Sequence, residues 1–580
     1  MSETAEQLRA IKSRGKVLVS ASAGAGKTTV MIKRLADIIE EGAELDGVLA
    51  VTFTKKAAVQ MKDKLRRELI SRLNTADEGV KEHLRTQLNK INVADVSTIH
   101  SFCARLIRTY FYVLKVDASF EVLTDGAESN ELKARAMDAV FEELYSAEDE
   151  GFYLLLDRLR RKRSDRAVRE LLLSAYDEVR VHPDYKNALL SACENTYTPQ
   201  GFENVCGGLL ENIAQKCSAL ASAVQEFMQN FHPVCNAQGY LKVLEEMRET
   251  LCSVASCGSL FGLPNRLANS VKPRVKAEVA EDDAAFSAFC DGVKKKYKTV
   301  IKDISDEESE RLKFFESGKT AKAFCDVLLR FDEAYSGVKR EEGKLDYGDL
   351  EHFALSLLKG EDCDNDVRDG IRNKYKYVFV DEYQDVNPIQ DEIITAVAGG
   401  DLFCVGDLKQ AIYGFRGSNS RFFADKCGAG GCEYIVLPDN FRSSRAVIDF
   451  VNTVFSRVMS APVCEVDYGS GHAMRGGARY KEGCAGEAEI CLFEKDETQK
   501  AEPDGVYSVS AAKLNAREYS AEGLAVLNLV EEALKGEYYD PDDGKMKKVQ
   551  TGDICVLTRK RANPAARGIV RALTAKYPVA

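Results

Sequence analysis

Nine consecutive residues, Ala21-Ser22-Ala23-Gly24-Ala25-Gly26-Lys27-Thr28-Thr29, carry the plainest chemistry in the chain. Gly24 and Gly26 let successive backbone N–H groups curl around phosphate oxygens. Lys27 would reach the β- and γ-phosphates of a nucleotide, and the Thr28 hydroxyl would ligate Mg²⁺. ATP and Mg²⁺ are therefore the expected ligands. The first glycine of the usual phosphate-loop spacing is Ala21 here, which is small enough for the turn.

Acidic residues follow much later. Tyr377 to Val380 is a near-continuous apolar strand, typical of one buried in a parallel sheet, and it ends in Asp381-Glu382-Tyr383-Gln384-Asp385. Adjacent carboxylates at the end of a buried strand are costly unless they act. Asp381 would hold Mg²⁺ through its water shell, and Glu382 would orient and activate an attacking water. A strand at Leu402 to Val405 leads into Gly406 to Gly417, where Gln410 is placed to sense the γ-phosphate. Tyr413, Phe415 and Arg416 offer stacking and cationic faces to unpaired bases. Asn440-Phe441-Arg442-Ser443 opens a helix; Arg442 would be a fixed charge on the γ-phosphate at the transition state, and Phe441 would stack on adenine.

Three further segments are candidate contacts to a nucleotide or nucleic acid. Gln7, in a short helix from Thr4 to Ile11, can donate and accept at the N6/N7 edge of adenine. Thr52-Phe53-Thr54 follows a strand at Val48 to Val51; its hydroxyls and aromatic ring suit a sugar-phosphate backbone and one stacked base, and equally a strand-end turn. His100, in Val96 to Cys103, could contact phosphate together with the neighbouring hydroxyls.

These residues need elements to hold them. Val17 to Val19 forms the strand before the glycine loop; Val30, Met31, Ile32 and Leu35 begin the helix after it, whose positive end adds to phosphate attraction. From Asp117 to Gly343 the pattern is helical, as in Met137, Val140, Phe141 and Leu144, and in the face Leu171, Leu172 and Tyr176. That stretch is far longer than an ordinary α/β connection and reads as an inserted helical domain. Its basic clusters, Arg158 to Arg166 and Lys294 to Lys298, are solvated helix faces or phosphate contacts. Beyond Ser456 the expected elements are strands at Glu487 to Phe493 and Asp553 to Leu557, a helix at Glu518 to Leu534 and a loop at Tyr538 to Lys548. Four segments result: 1–116, 117–343, 344–438 and 439–580.

A length of 580 residues implies several domains, and a net charge of −11 excludes a wholly basic nucleic-acid coat while allowing a local DNA cleft. Nothing reads as a signal peptide or spanning helix, so no membrane partner is expected. Seventeen scattered cysteines without metal-site spacing read as reduced, mostly buried thiols of a cytoplasmic protein.

Taken in order, the motifs at Gln7, Ala21 to Thr28, Thr52 to Thr54, Asp381 to Asp385, Gly406 to Gly417 and Asn440 to Ser443 resemble those of the UvrD/Rep-type DNA helicases. Ser97 to Cys103, Asp117 to Phe120, Leu345-Asp346-Tyr347-Gly348-Asp349-Leu350-Glu351-His352 and Glu465 to Tyr468 are most similar to the AddA branch, the helicase-nuclease components of AddAB recombination complexes. The resemblance implies an α/β fold: a RecA-like P-loop NTPase domain with a large inserted helical domain and the start of a second RecA-like domain. It also implies 3′-to-5′ movement on single-stranded DNA, unwinding of duplex in double-strand break repair, and an AddB-type nuclease partner in a heterodimer. Lys27, Thr28, Asp381, Glu382, Gln410 and Arg442 would carry hydrolysis, and Phe53, Tyr413, Phe415 and Arg416 would grip bases. Two departures stand out. Ala411 replaces the usual serine, and neither a distal arginine-finger motif nor a nuclease domain precedes Ala580. The 580 residues are therefore expected to be a truncated chain that binds ATP, hydrolyses it poorly and has no nuclease activity. A stand-alone UvrD/PcrA-like repair helicase and a non-catalytic DNA-binding module are the alternatives, and stacking alone does not separate DNA from RNA.

Overall fold

The computed structural model describes residues 3–159, 164–232, 237–261, 263, 280–302, 304–359, 365–414, 417–418, 431–460, 468–469, 472–477, 486–491, 521–541, 543–559 and 564–579. The chain forms two compact units, one of Met1–Leu114 with Phe353–Ala580 and one of Lys115–His352.

In the first unit, apolar runs too short for helices become the strands β1 (Lys16–Ala21) and β2 (Val48–Thr52), and the mostly polar β3 (Asp95–Thr98) pairs beside β2. The second unit supplies the short β4 (Glu121–Leu123) and β5 (Lys344–Asp346), which pair in parallel. The first unit resumes with β6 (Tyr377–Val380), β7 (Asp401–Gly406) and β8 (Glu433–Leu437). Its strands join in a six-stranded parallel sheet of order β3-β2-β6-β7-β1-β8. Val17 of β1 pairs with Phe403 and Glu433, and Ala50 of β2 with Val96 and Phe379.

The helices α1 (Ala5–Lys12), α2 (Lys27–Glu40) and α3 (Lys55–Thr75) send Ile11, Val30, Leu35, Met61 and Leu65 into one core with Val17, Val19, Phe379, Phe403 and Ile435. Burial of both Val17 and Leu18, on opposite faces of β1, explains why that strand is continuously apolar rather than alternating. Because all six strands are parallel, their C-terminal ends share one edge, where ligands of such sheets collect.

The second unit is mainly helical. Ala127–Ser146, Glu150–Leu159, Arg166–Val179 and Glu307–Glu341 enclose Phe141, Phe152, Leu172, Tyr176 and Phe331. Pro199–Asn230, Ala237–Ala255 and Ala280–Ile301 close a separate core around Tyr240, Leu244, Phe286 and Tyr297. Leu171 does not share the buried face of Leu172 and Tyr176; it is exposed, being about 100° around the helix from Leu172. In the first basic cluster Arg158 pairs with Glu316 and Arg166 with Glu170, while Arg160 to Arg163 lie outside the described residues. Lys295, Lys296 and Lys298 are exposed.

The Leu345 to His352 motif is spent on a buried ionic knot. The Lys339 ammonium, 1% exposed, lies 2.6 Å from Asp346 and 2.5 Å from Asp349. Arg180 reaches Asp349 at 2.9 Å and Asp332 at 3.2 Å. Burial opposes ionisation of Asp346, but Lys339 and Arg180 hold it down to about 2. Removing one partner leaves buried charge uncompensated, so Lys339→Met is expected to destabilise this unit by about 3 kcal/mol, read as a lower urea midpoint.

Three C-terminal expectations are corrected. Tyr538 to Lys548 is not a loop: Glu537–Asp540 and Lys545–Lys548 form an antiparallel hairpin, closed by the Gly544 N–H donating to the Asp540 carbonyl. Gly544 at φ +70° supplies the backbone that this turn needs, so the Pro/Asp/Gly run is only the connection. Residues 486–491 form no strand and 486–490 are exposed, and among the described residues no ladder pairs their backbone; 492 and 493 lie outside the described residues. Asp553 closes a short turn at Thr551–Asp553 by accepting from the Gln550 N–H, so no strand starts there, and Leu557 is 90% exposed. The expected helix between them forms as Ala521–Ala533.

Cys103, Cys217, Cys290, Cys325 and Cys404 are buried. The other described cysteines, Cys193, Cys206, Cys252, Cys257, Cys432, Cys491 and Cys555, are half-buried or exposed, so the expectation of mostly buried thiols does not hold among the described residues. Among the described residues no helix is long and apolar enough to cross a membrane.

Candidate functional site

The glycine loop leaves the C-terminal end of β1 and is pinned by the Ser22 N–H donating to the Leu437 carbonyl and the Ala25 N–H to that of Ser22. Gly24 at φ +71° and Gly26 at φ +81° take left-handed backbone, and Gly26 stands at the start of α2 with no side chain capping its N–H groups. Free helix-start N–H groups beside a lysine are an anion cradle. Ala21, Ser22 and Ala25 are buried; Ala23, Lys27 and Thr28 are half-buried and Thr29 is exposed.

Gln7 meets this loop directly. Its Nε2 donates to the Ala25 carbonyl at 3.0 Å, while its Oε1 accepts from the Thr4 N–H in a capping box. It therefore braces the loop. Asn440 approaches from the other side: its Oδ1 accepts the N–H groups of Arg442 and Ser443, each at 2.8 Å, and the Phe441 N–H donates to the Gly24 carbonyl. A Cβ at Gly24 would lie 2.7 Å from Asn440 Oδ1 and 2.8 Å from Arg442 Cβ. Gly24→Ala is accordingly expected to cost about 1–3 kcal/mol, seen as a lower melting temperature and weaker nucleotide binding. The Arg442 side chain is exposed and Phe441 half-buried.

The acids after β6 face the lysine. Glu382 adopts φ +50°, rare for a residue with a Cβ, and its Oε2 lies 2.8 Å from Lys27 Nζ. Burial, then the charge of Glu382, pushes Asp381 up to about 6, against Lys27; the same two causes raise Asp385 to about 6. One Asp385 oxygen is buried without a partner. Among the described residues no group of three or more His, Cys, Asp or Glu is arranged to hold a metal. Mg²⁺ suits such a place, because it keeps several waters and needs only one or two protein oxygens beside phosphate. Thr28 and Asp381 would supply them, and the Asp385 oxygen that lacks a partner is a further acceptor beside them. Below pH about 6 a cation would compete with a proton on Asp381, so Mg²⁺ affinity in the nucleotide-free protein should fall there by about tenfold for each pH unit, measured by calorimetric titration.

After β7, Gln410 Nε2 donates to Asp407 Oδ2 at 2.8 Å. Tyr413 lies against Phe53, ring centroids 4.6 Å apart and planes at 39°, and Phe53 is 38% exposed. The two rings make one aromatic surface on the strand edge. Phe415 and Arg416 lie outside the described residues. Thr52 and Thr54 spend their hydroxyls locally: Thr52 donates to the Thr54 carbonyl, and Thr54 caps α3 by accepting from the Ala57 N–H. His100 is half-buried in the first turn of the helix Ile99–Thr109.

The model of the UvrD/REP helicase N-terminal domain matches residues 3–427. The chain belongs to the UvrD/REP helicase family. It is 29% identical over 590 residues to a Pediococcus pentosaceus protein described as an ATP-dependent helicase/nuclease subunit, covering 97% of this chain and 47% of that one. Proteins of the same description from Ligilactobacillus salivarius and Carboxydothermus hydrogenoformans are 31% and 32% identical, again over 97% of this chain and 47% and 48% of theirs. The chain spans about half the length of the curated relatives it matches.

Three residues of this UvrD/REP chain at the same edge were given no role by sequence reasoning. Gln384 and Asp407 are 2% and 1% exposed, and Asp385 carries the orphaned oxygen. Their signal was a polar side chain one or a few positions beyond a buried strand, where burial demands partners.

Proposed function

We propose that the chain is the ATP-driven motor portion of a helicase-nuclease of the AddA kind, moving 3′ to 5′ on single-stranded DNA and separating duplex during double-strand break repair. The observation that carries this reading is the convergence of Lys27, Glu382, Asp381 and the uncapped start of α2 at one sheet edge that also bears the Phe53–Tyr413 surface. In this reading segments 1–116 and 344–438 form the first RecA-like motor domain, 117–343 is the inserted helical domain, and 439–580 begins the second motor domain. The relatives are described as one subunit of an enzyme, which favours a partner chain, for which an AddB-type nuclease is our assignment. The cytoplasm is the proposed location.

In this reading the residues divide the work according to their chemistry. The N–H groups of Ala23, Gly24, Gly26, Lys27 and Thr28 and the Lys27 ammonium bind phosphate oxygens on the turn that Ala25 closes, and Gln7 and Phe441 flank the base. Bound Mg²⁺ would neutralise charge on the phosphates, with Thr28 and Asp381 as its protein contacts. Glu382 takes the proton of the attacking water, Gln410 reads the terminal phosphate, and Arg442 adds fixed positive charge there. Phe53, Tyr413, Phe415 and Arg416 hold bases by stacking, with the exposed Thr54 and the half-buried His100 on the backbone, while Thr52, buried with its hydroxyl bonded to the Thr54 carbonyl, shapes the loop that presents Phe53.

Since nucleotide and DNA would share one sheet edge, their binding should be coupled and reciprocal. Single-stranded DNA affinity, followed by fluorescence anisotropy, is expected to differ by about 5-fold or more between ATPγS and ADP. Equal affinities with both nucleotides would count against a motor and favour a passive binding module; preference for an RNA strand would replace the substrate.

A further inference from the structure

We infer that Gln384 is a positioning residue that ties Glu382 to Gln410 through Asp407, so that the carboxylate facing water and the amide facing the terminal phosphate respond as one unit. The inference rests on the nucleotide reading proposed above. Both ends of the Gln384 amide are used: Nε2 donates to Glu382 Oε2 at 2.9 Å, and Oε1 accepts from the Asp407 N–H at 2.9 Å. Asp407 continues the path, its Oδ2 accepting from Gln410 Nε2 at 2.8 Å and its Oδ1 from the Lys409 ammonium at 2.7 Å and the Lys409 N–H at 3.2 Å. At the other end Glu382 Oε2 also meets Lys27 Nζ at 2.8 Å. Side chains from the segments after β1, β6 and β7, joined through the Asp407 backbone N–H, thus form a continuous polar path.

The residue type is dictated by the two ends. The group at Gln384 must donate to a carboxylate and accept from a backbone N–H, and a side-chain amide does both. A carboxylate there would repel Glu382, and an apolar side chain would orphan the buried Asp407 N–H. The path also explains how Glu382 keeps its orientation when Lys27 turns toward phosphate: one of the two bonds on Oε2 remains, and it comes from Gln384. A shift of Gln410 reaches that bond through Asp407.

The test compares the chain with its Gln384→Met, Gln384→Glu, Gln410→Ala and Gln384→Met/Gln410→Ala variants. It uses single-turnover ATP hydrolysis, ATPγS binding, and hydrogen exchange of the Leu402 to Gln410 segment. Gln384→Met is expected to slow hydrolysis about 10–100-fold, as for other groups that orient a functional side chain, with ATPγS affinity changed less than about 2-fold. Gln384→Glu should fall as far, although it keeps an acceptor for the Asp407 N–H. The double variant should be no slower than the slower single one, because both cut the same path. ATPγS should alter exchange at Leu402 to Gln410 in the parent chain, and Gln384→Met should change that response. Multiplying effects in the double variant, or an unchanged exchange response, overturn the relay while leaving the ATPase reading intact. A parent chain that neither binds ATPγS nor hydrolyses ATP overturns the function and the relay together. If Gln384→Met does not fold, Gln384→Glu, with the pairing Gln384→Glu/Gln410→Ala, decides by the same criteria.

Discussion

Glu382→Gln is expected to lower ATP hydrolysis about 10²–10⁴-fold, the usual loss when a general base is removed, with nucleotide affinity little changed. The side chain keeps its length and its acceptor for Gln384, so the polar path at the ends of β6 and β7 survives. What disappears is the charge that accepts the proton of water, together with the ion pair to Lys27. The expected pattern is therefore retained ATP binding, measured by fluorescence titration, and a nearly silent chemical step, measured by phosphate release. Hydrolysis within about 3-fold of the parent would move the base elsewhere, and Asp385, raised to about 6 and close enough to feel Glu382, would be the next residue to test.

Lys27→Ala should act on both steps. Lys27 is the cation beside the glycine loop in contact with Glu382, and its side chain is largely buried. Removing a charged donor aimed at a reacting phosphate costs about 10²–10³ in turnover. Binding should suffer as well, because Glu382 loses its counter-charge next to incoming phosphates. The expected result is turnover down by at least about 10²-fold together with weaker ATP binding. Loss of turnover with unchanged binding would place Lys27 in the transition state alone. This contrast with Glu382→Gln separates a residue that binds and stabilises from one that only performs chemistry.

Much of this site is legible in the residues themselves. Apolar runs at Val17 to Val19, Tyr377 to Val380 and Leu402 to Val405 announce buried parallel strands, and the glycines, lysine and acids directly after them announce one ligand edge. That edge exists because parallel strands must all end on the same side. The links across it are hidden, since they join residues far apart in the chain: Gly24 against Asn440, Phe53 against Tyr413, Gln384 against Asp407. Backbone geometry is equally opaque; nothing in the letter sequence marks Glu382 for a left-handed conformation. The C-terminal errors share one cause. Short apolar or charged runs near residues 487, 538 and 553 do not declare whether a partner strand is present, and a strand exists only where its backbone is paired.

The most direct test of the central claim is steady-state ATP hydrolysis by the chain with and without single-stranded DNA. A nucleic-acid motor predicts hydrolysis that rises when DNA is added and disappears in Lys27→Ala. Hydrolysis indifferent to DNA, or retained in Lys27→Ala, would contradict it.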